Sequence, residues 1–127
     1  MVKKDYLITA EKLAKTIVTG IQERKGKNIV KINLSKIKNI FTDYFVICSG
    51  DSNTHVRAIS ESIEKEVKEN LGMDSYHKEG VENSFWVLLD YGNIIVHIFQ
   101  PETRDFYNLE ELWADGEIEN IKDENNS

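Results

Sequence analysis

The chain has 127 residues, 30% of them charged and 40% aliphatic, aromatic or cysteine, with a net charge of −6. That length fits one domain with a sizeable buried core. Its longest apolar runs are too short to span a bilayer, which excludes a membrane helix. An acidic balance also disfavours nucleic-acid binding, which draws on Lys and Arg for phosphate.

The opening "MVKKDYLITAEK" has a lysine pair, Lys3 and Lys4, with no apolar run behind it. It does not read as a signal peptide, so a cytoplasmic protein is expected. A helix is predicted from about Thr9 to Lys25. Thr9 serves as N-cap, Ala10, Leu13, Ala14, Ile17 and Ile21 form its apolar stripe, and Gly26 stops it. "NIVKINL" follows, with Val30, Ile32 and Leu34 alternating against Lys31 and Asn33. That is a half-buried strand. "YFVICS" reads as a strand buried on both faces. The one cysteine, Cys48, lies inside it. It cannot form an internal disulfide, and it reads as an inert core thiol.

The strand runs into Ser49-Gly50-Asp51-Ser52 and then into a helical pattern ending at Leu71-Gly72. A strand–turn–helix of this kind can hold a phosphate. A nucleotidyl-transfer site would need two or three carboxylates nearby to hold divalent metal ions. Asp51 stands alone, and no Asp-x-Asp pair follows. Helix capping by Ser52 or Asp51 is the favoured reading. Val56, Ile59, Ile63, Val67 and Leu71 mark the buried face of this helix. His55, His77, His97 and Cys48 fall at no zinc-ligand spacing. No metal or other cofactor is expected.

A short strand is placed near Ser75–Lys78. "SFWVLLD" and "NIIVHIFQ" then form a hairpin around Tyr91-Gly92. Strand parity puts Phe85, Val87, Leu89, Ile94, Val96 and Ile98 on one face, under the helices. Trp86, Leu88, Asp90, Ile95, His97 and Phe99 share the other. A face mixing Trp, His and Asp with aliphatics suits a partner better than a covering helix. "RDFYNLEELW" reads as a final helix. In it Arg104 either grips an anion or pairs with Glu110 or Glu111. The remainder, from Asp115, carries five acids and one lysine. It is expected to be a disordered acidic tail over 115–127, behind one domain at 1–114. The order α-β-β-α-β-β-β-α implies a mixed sheet in an α/β fold. The overall acidity either keeps the protein soluble or suits a basic protein partner.

"TDYFVICSGDSNTHVRAISESI", "EG" before "WVLLDYGNIIVHIF", and "RDFYNLEELW", in this order and spacing, closely resemble the ribosomal silencing factor (RsfS, or Iojap-like) family. The resemblance covers about residues 7 to 114. It implies a mixed five-stranded sheet, similar to nucleotidyltransferase folds without their catalytic carboxylates. It implies no enzyme activity. The implied partner is the large ribosomal subunit, bound through a basic protein of the L-fourteen type. Docking there would block subunit joining and repress translation. Free members are implied to form homodimers. On this reading contact falls on Trp86, Leu88, Asp90 and His97, with Glu79 and Gly80 at the edge and Arg104 and Tyr107 just beyond. No direct nucleic-acid readout and no membrane are implied. The alternatives are a large-subunit assembly adaptor and a nucleotidyltransferase-like enzyme.

Overall fold

The structure, a computed structural model, describes residues 8–124. The elements are α1 (Ala10–Glu23), β1 (Lys27–Asn33), β2 (Tyr44–Ser49), α2 (Asn53–Leu71), β3 (His77–Glu79), β4 (Trp86–Asp90), β5 (Ile94–Phe99), α3 (Pro101–Tyr107), α4 (Leu109–Leu112) and β6 (Glu117–Ile121). The strands form one mixed sheet in the order β3-β4-β5-β2-β1-β6. Only β2 and β5 run parallel; the other neighbours are antiparallel.

The helices begin at the expected caps and α2 ends at its glycine, whereas α1 ends at Glu23, before the expected Lys25, which itself turns left-handed at φ +58° ahead of Gly26. The Thr9 side chain accepts from the Lys12 N–H, and that of Ser52 from the His55 N–H. Gly72 closes α2 in the left-handed region at φ +68°. Both helices lie on one sheet face, where Leu13, Ile17 and Ile21 meet Ile59, Ile63 and Val67 over Val46, Val87, Leu89, Val96 and Ile98. The helices cross closely at Gly20. A Cβ there would lie 2.8 Å from the Ile63 Cα, so only glycine fits. The hairpin register pairs Asp90 with Ile95 and Trp86 with Phe99. Gly92, at φ +88°, makes the turn.

Three expectations are corrected. First, the sheet has six strands rather than five, and the sixth comes from the segment expected to be a disordered tail. Acidic composition hid two isoleucines, Ile118 and Ile121, that pair with Ile32 and Ile29 of β1. The Gln22 side chain donates to the Lys122 carbonyl and the Asn28 N–H to the Asp123 carboxylate, which ties the strand down further. Second, the final helix is two short ones. Asn108, at φ +46°, breaks them apart, a conformation Asn tolerates better than most residues. Third, Phe85 is 56% exposed rather than covered. Ser84, at φ +55°, interrupts the alternation just before β4 begins.

Two outcomes follow from this packing. Truncation after Gly116 removes β6 and uncovers the edge of β1. It should lower the melting temperature by about 5 °C or more, the shift produced by roughly 1 kcal/mol in a domain of this size; an unchanged melt would mean that β6 adds nothing to the fold. Cys48 is fully buried, and desolvation pushes its thiol up to about 12. A thiol reagent should therefore label it slowly in the native protein and rapidly in denaturant.

Candidate functional site

The second sheet face is covered unevenly. Over β1 and β2, α4 and the β1–β2 loop close a small core of Val30, Ile32, Leu34, Phe45, Ile47, Phe99 and Leu109, with Ile37, Ile40 and Trp113 packed against it. On this face α3 reaches β4 at Trp86, through Tyr107, and β3 lies farther out as the edge strand. Cross-strand pairing aligns Glu79, Leu88 and His97 in one row, and His77, Asp90 and Ile95 in another. Leu88, Asp90 and Ile95 are half-buried, and His77 and Glu79 are exposed. This is an open patch, apolar at its centre and polar at its edge.

The residues expected to make contact separate into three groups. Trp86, Leu88 and Asp90 lie on this face as parity placed them, and Glu79, expected at its edge, pairs with Leu88. The Glu79 carboxylate sits 2.6 Å from His77 Nε2, an exposed pair at the rim. Asp90 also holds the hairpin, since its Oδ1 accepts from the Gly92 N–H at 2.8 Å. Tyr107, 49% exposed, joins them from α3 and packs on Trp86 with ring centroids 4.8 Å apart. Gly80 serves the backbone. At φ +83°, a Cβ there would lie 2.0 Å from the Trp86 carbonyl oxygen, so any side chain would displace the start of β4.

His97 and Arg104 are corrections. His97 is only 4% exposed and lies beneath Trp86, so it cannot itself meet a partner. Burial pushes its imidazole down to about 3, which keeps it neutral. Arg104, 8% exposed, spends its guanidinium internally. It donates to Glu110 Oε2 at 2.7 and 3.1 Å, to the Asn28 carbonyl at 2.8 Å and to Ser49 Oγ at 2.8 Å. It pins α3 to the ends of β1 and β2 as a buried cation with all three nitrogens hydrogen-bonded. Of its two sequence readings, pairing with Glu110 is the one observed.

Trp86 is more embedded than an open-face residue. Its ring stacks on Phe99 at 4.8 Å, and its Nε1 donates to His97 Nδ1 at 3.1 Å. Sequence reasoning passed over Phe106, 81% exposed and in edge contact with Tyr107. Two adjacent aromatics in a short helix were the available signal.

The "SGDS" turn is occupied by its own residues. Ser52 caps α2, the Asp51 N–H donates to His55 Nδ1 at 2.8 Å, and the Asp51 carboxylate lies 3.4 Å from Lys27 Nζ. Among the described residues no group of three or more His, Cys, Asp and Glu side chains is placed to hold a metal.

His97 gives the fold a pH dependence of definite sign. The folded state keeps the ring neutral while the unfolded chain protonates it below about 6.5, so this contribution is complete above that pH and is lost as pH falls toward 3. From pH 7 to pH 5 the loss amounts to about 2 kcal/mol. Melts of wild type and His97→Phe over that range isolate it: the variant should lack this part of the acid slope.

A family model described as "Ribosomal silencing factor during starvation" matches residues 8–127, the strand β6 included. Ribosomal silencing factor RsfS of Chromobacterium violaceum is 35% identical over 104 residues, 82% of this chain and 84% of that protein. The Bacillus subtilis protein of the same name is 32% identical over 109 residues, 86% and 91% of the two chains. The mouse mitochondrial assembly of ribosomal large subunit protein 1 is 41% identical over 100 residues, 77% of this chain and 43% of that one. Crystal structures of proteins from Chromobacterium violaceum and Bacillus halodurans superpose with TM-scores of 0.79 and 0.73, at 33% and 32% identity. They cover 84% and 88% of this chain, and 87% and 98% of their own. Sequence and fold thus agree over nearly the whole domain, and the chain belongs to the ribosomal silencing factor family.

Proposed function

We propose that this protein represses translation by steric exclusion. It docks on a basic protein of the large ribosomal subunit, of the L-fourteen type, and occupies surface that the small subunit needs for joining. The carrying observation is the open half of the second sheet face, where Leu88, Asp90 and Ile95 lie half-buried beside Trp86 and the exposed Glu79. An apolar centre with an acidic rim suits a basic protein surface. The chain's net charge of −6 favours the same encounter. The mechanism is binding without turnover, and the self-occupied "SGDS" turn supports a non-enzymatic role. The same reading has the free protein as a cytoplasmic homodimer.

An assembly adaptor would use the same docking surface, and the name of the mouse relative keeps that reading in view. The two differ in consequence: a silencing factor blocks joining of mature subunits, whereas an adaptor acts on immature ones.

Leu88→Ala is the cleanest test, because Leu88 is half-buried and belongs to neither core cluster. It should weaken binding to purified large subunits about tenfold or more and shift the melting temperature little. Trp86→Ala should weaken binding further and also cost stability, since it removes the stack on Phe99. Wild-type protein that leaves subunit joining unaffected, or a Leu88→Ala variant that docks normally, would overturn the assignment.

A further inference from the structure

We propose that His97 is a positioning residue that commits the one polar atom of Trp86 to the interior, so that Trp86 meets a partner as a purely apolar anchor. This rests on the docking reading above. An indole carries a single donor and no acceptor. Here that donor, Nε1–H, is given to His97 Nδ1 at 3.1 Å. Phe99 stacks on the Trp86 ring and Tyr107 packs against it at a 46° tilt, each with centroids 4.8 Å away. The side chain is held in one orientation before any partner arrives, which lowers the entropic cost of docking.

The state of the imidazole supports this role. Because Nδ1 accepts, the ring proton sits on Nε2. Nε2 is buried and has no hydrogen-bond partner. Its surroundings are apolar: Phe45 lies in T-shaped contact at 4.5 Å, Phe99 at 6.2 Å, and Leu88 and Ile47 flank it across the strands. A buried donor left unpaired destabilises the fold. An apolar ring would fill the same space without that cost, so what the histidine adds is the acceptor facing Trp86. The consequence for recognition is specific. The partner surface opposite Trp86 must be aliphatic or aromatic, because a buried acceptor placed there would find no donor.

The test reads the indole directly. His97→Phe keeps a ring and removes the acceptor; His97→Gln keeps an acceptor in a different side chain. In 15N-labelled protein the Trp86 indole N–H should move upfield and exchange with water at least about tenfold faster in His97→Phe, as expected when a hydrogen bond is lost. The Trp113 signal should stay, and His97→Gln should recover part of the protection. Binding of His97→Phe to purified large subunits should weaken about fivefold, and the same change in a Trp86→Phe background should add nothing. An unmoved Trp86 indole signal, or an equal loss of binding in the Trp86→Phe background, would overturn the proposal. If wild-type protein fails to bind large subunits, the docking reading falls, and the indole exchange still decides whether His97 holds Trp86.

Discussion

The parallel pairing of β2 with β5 is the constraint on which the rest of the molecule depends. Two parallel strands cannot be joined by a tight turn, so the chain must leave the sheet and return. It does so through α2 and the strands β3 and β4. This puts β2 at the centre, with every residue from Phe45 to Ser49 buried. It also puts α2, with α1 packed along it, on a single face. One face is then closed by two long helices, and the other must be closed by whatever chain remains.

What remains is short. The segment from Pro101 to Trp113 gives two small helices, and Arg104 fastens the first of them to the ends of β1 and β2. Their apolar residues Leu109 and Trp113 cluster with Phe45, Ile47 and Ile32, and of the outer strands β3 and β4 only Trp86 joins that cluster. The open patch is thus a consequence of geometry: a six-stranded sheet has more second-face area than these helices can cover. Trp86 stands at the boundary, half in the covered core and half beside the patch, which is why it both packs and is available.

The buried polar groups fall into two kinds. Arg104 is hydrogen-bonded at all three guanidinium nitrogens and acts as a fastener. His97 is bonded on one nitrogen only, and that bond goes to the residue at the edge of the open patch. A fastener whose hydrogen bonds all go to its own chain contributes to the fold alone. A half-satisfied ring weakens the fold slightly in exchange for orienting its neighbour. The two therefore differ in what their loss would disturb.

The sequence by itself determined the local elements and the face of each strand residue. Caps at Thr9 and Ser52, the stop at Gly72 and the period-two alternation of the hairpin are written in neighbouring residues, and local sterics and hydrogen bonding decide them. The mixed face of Trp86, Leu88 and Asp90 followed from parity alone. Only the tertiary structure decided how deep each of these residues sits. His97 and Trp86 share a face, yet one is sealed by Phe45 and Phe99 and the other is half open, because depth depends on strand order and on where α3 and α4 end. The fate of Arg104 needed Asn28 and Ser49, far off in sequence. The strand β6 likewise needed β1 as its template. Acidic composition signals disorder when no partner strand is in view, and cross-strand pairing of Ile118 and Ile121 with β1 overrides it.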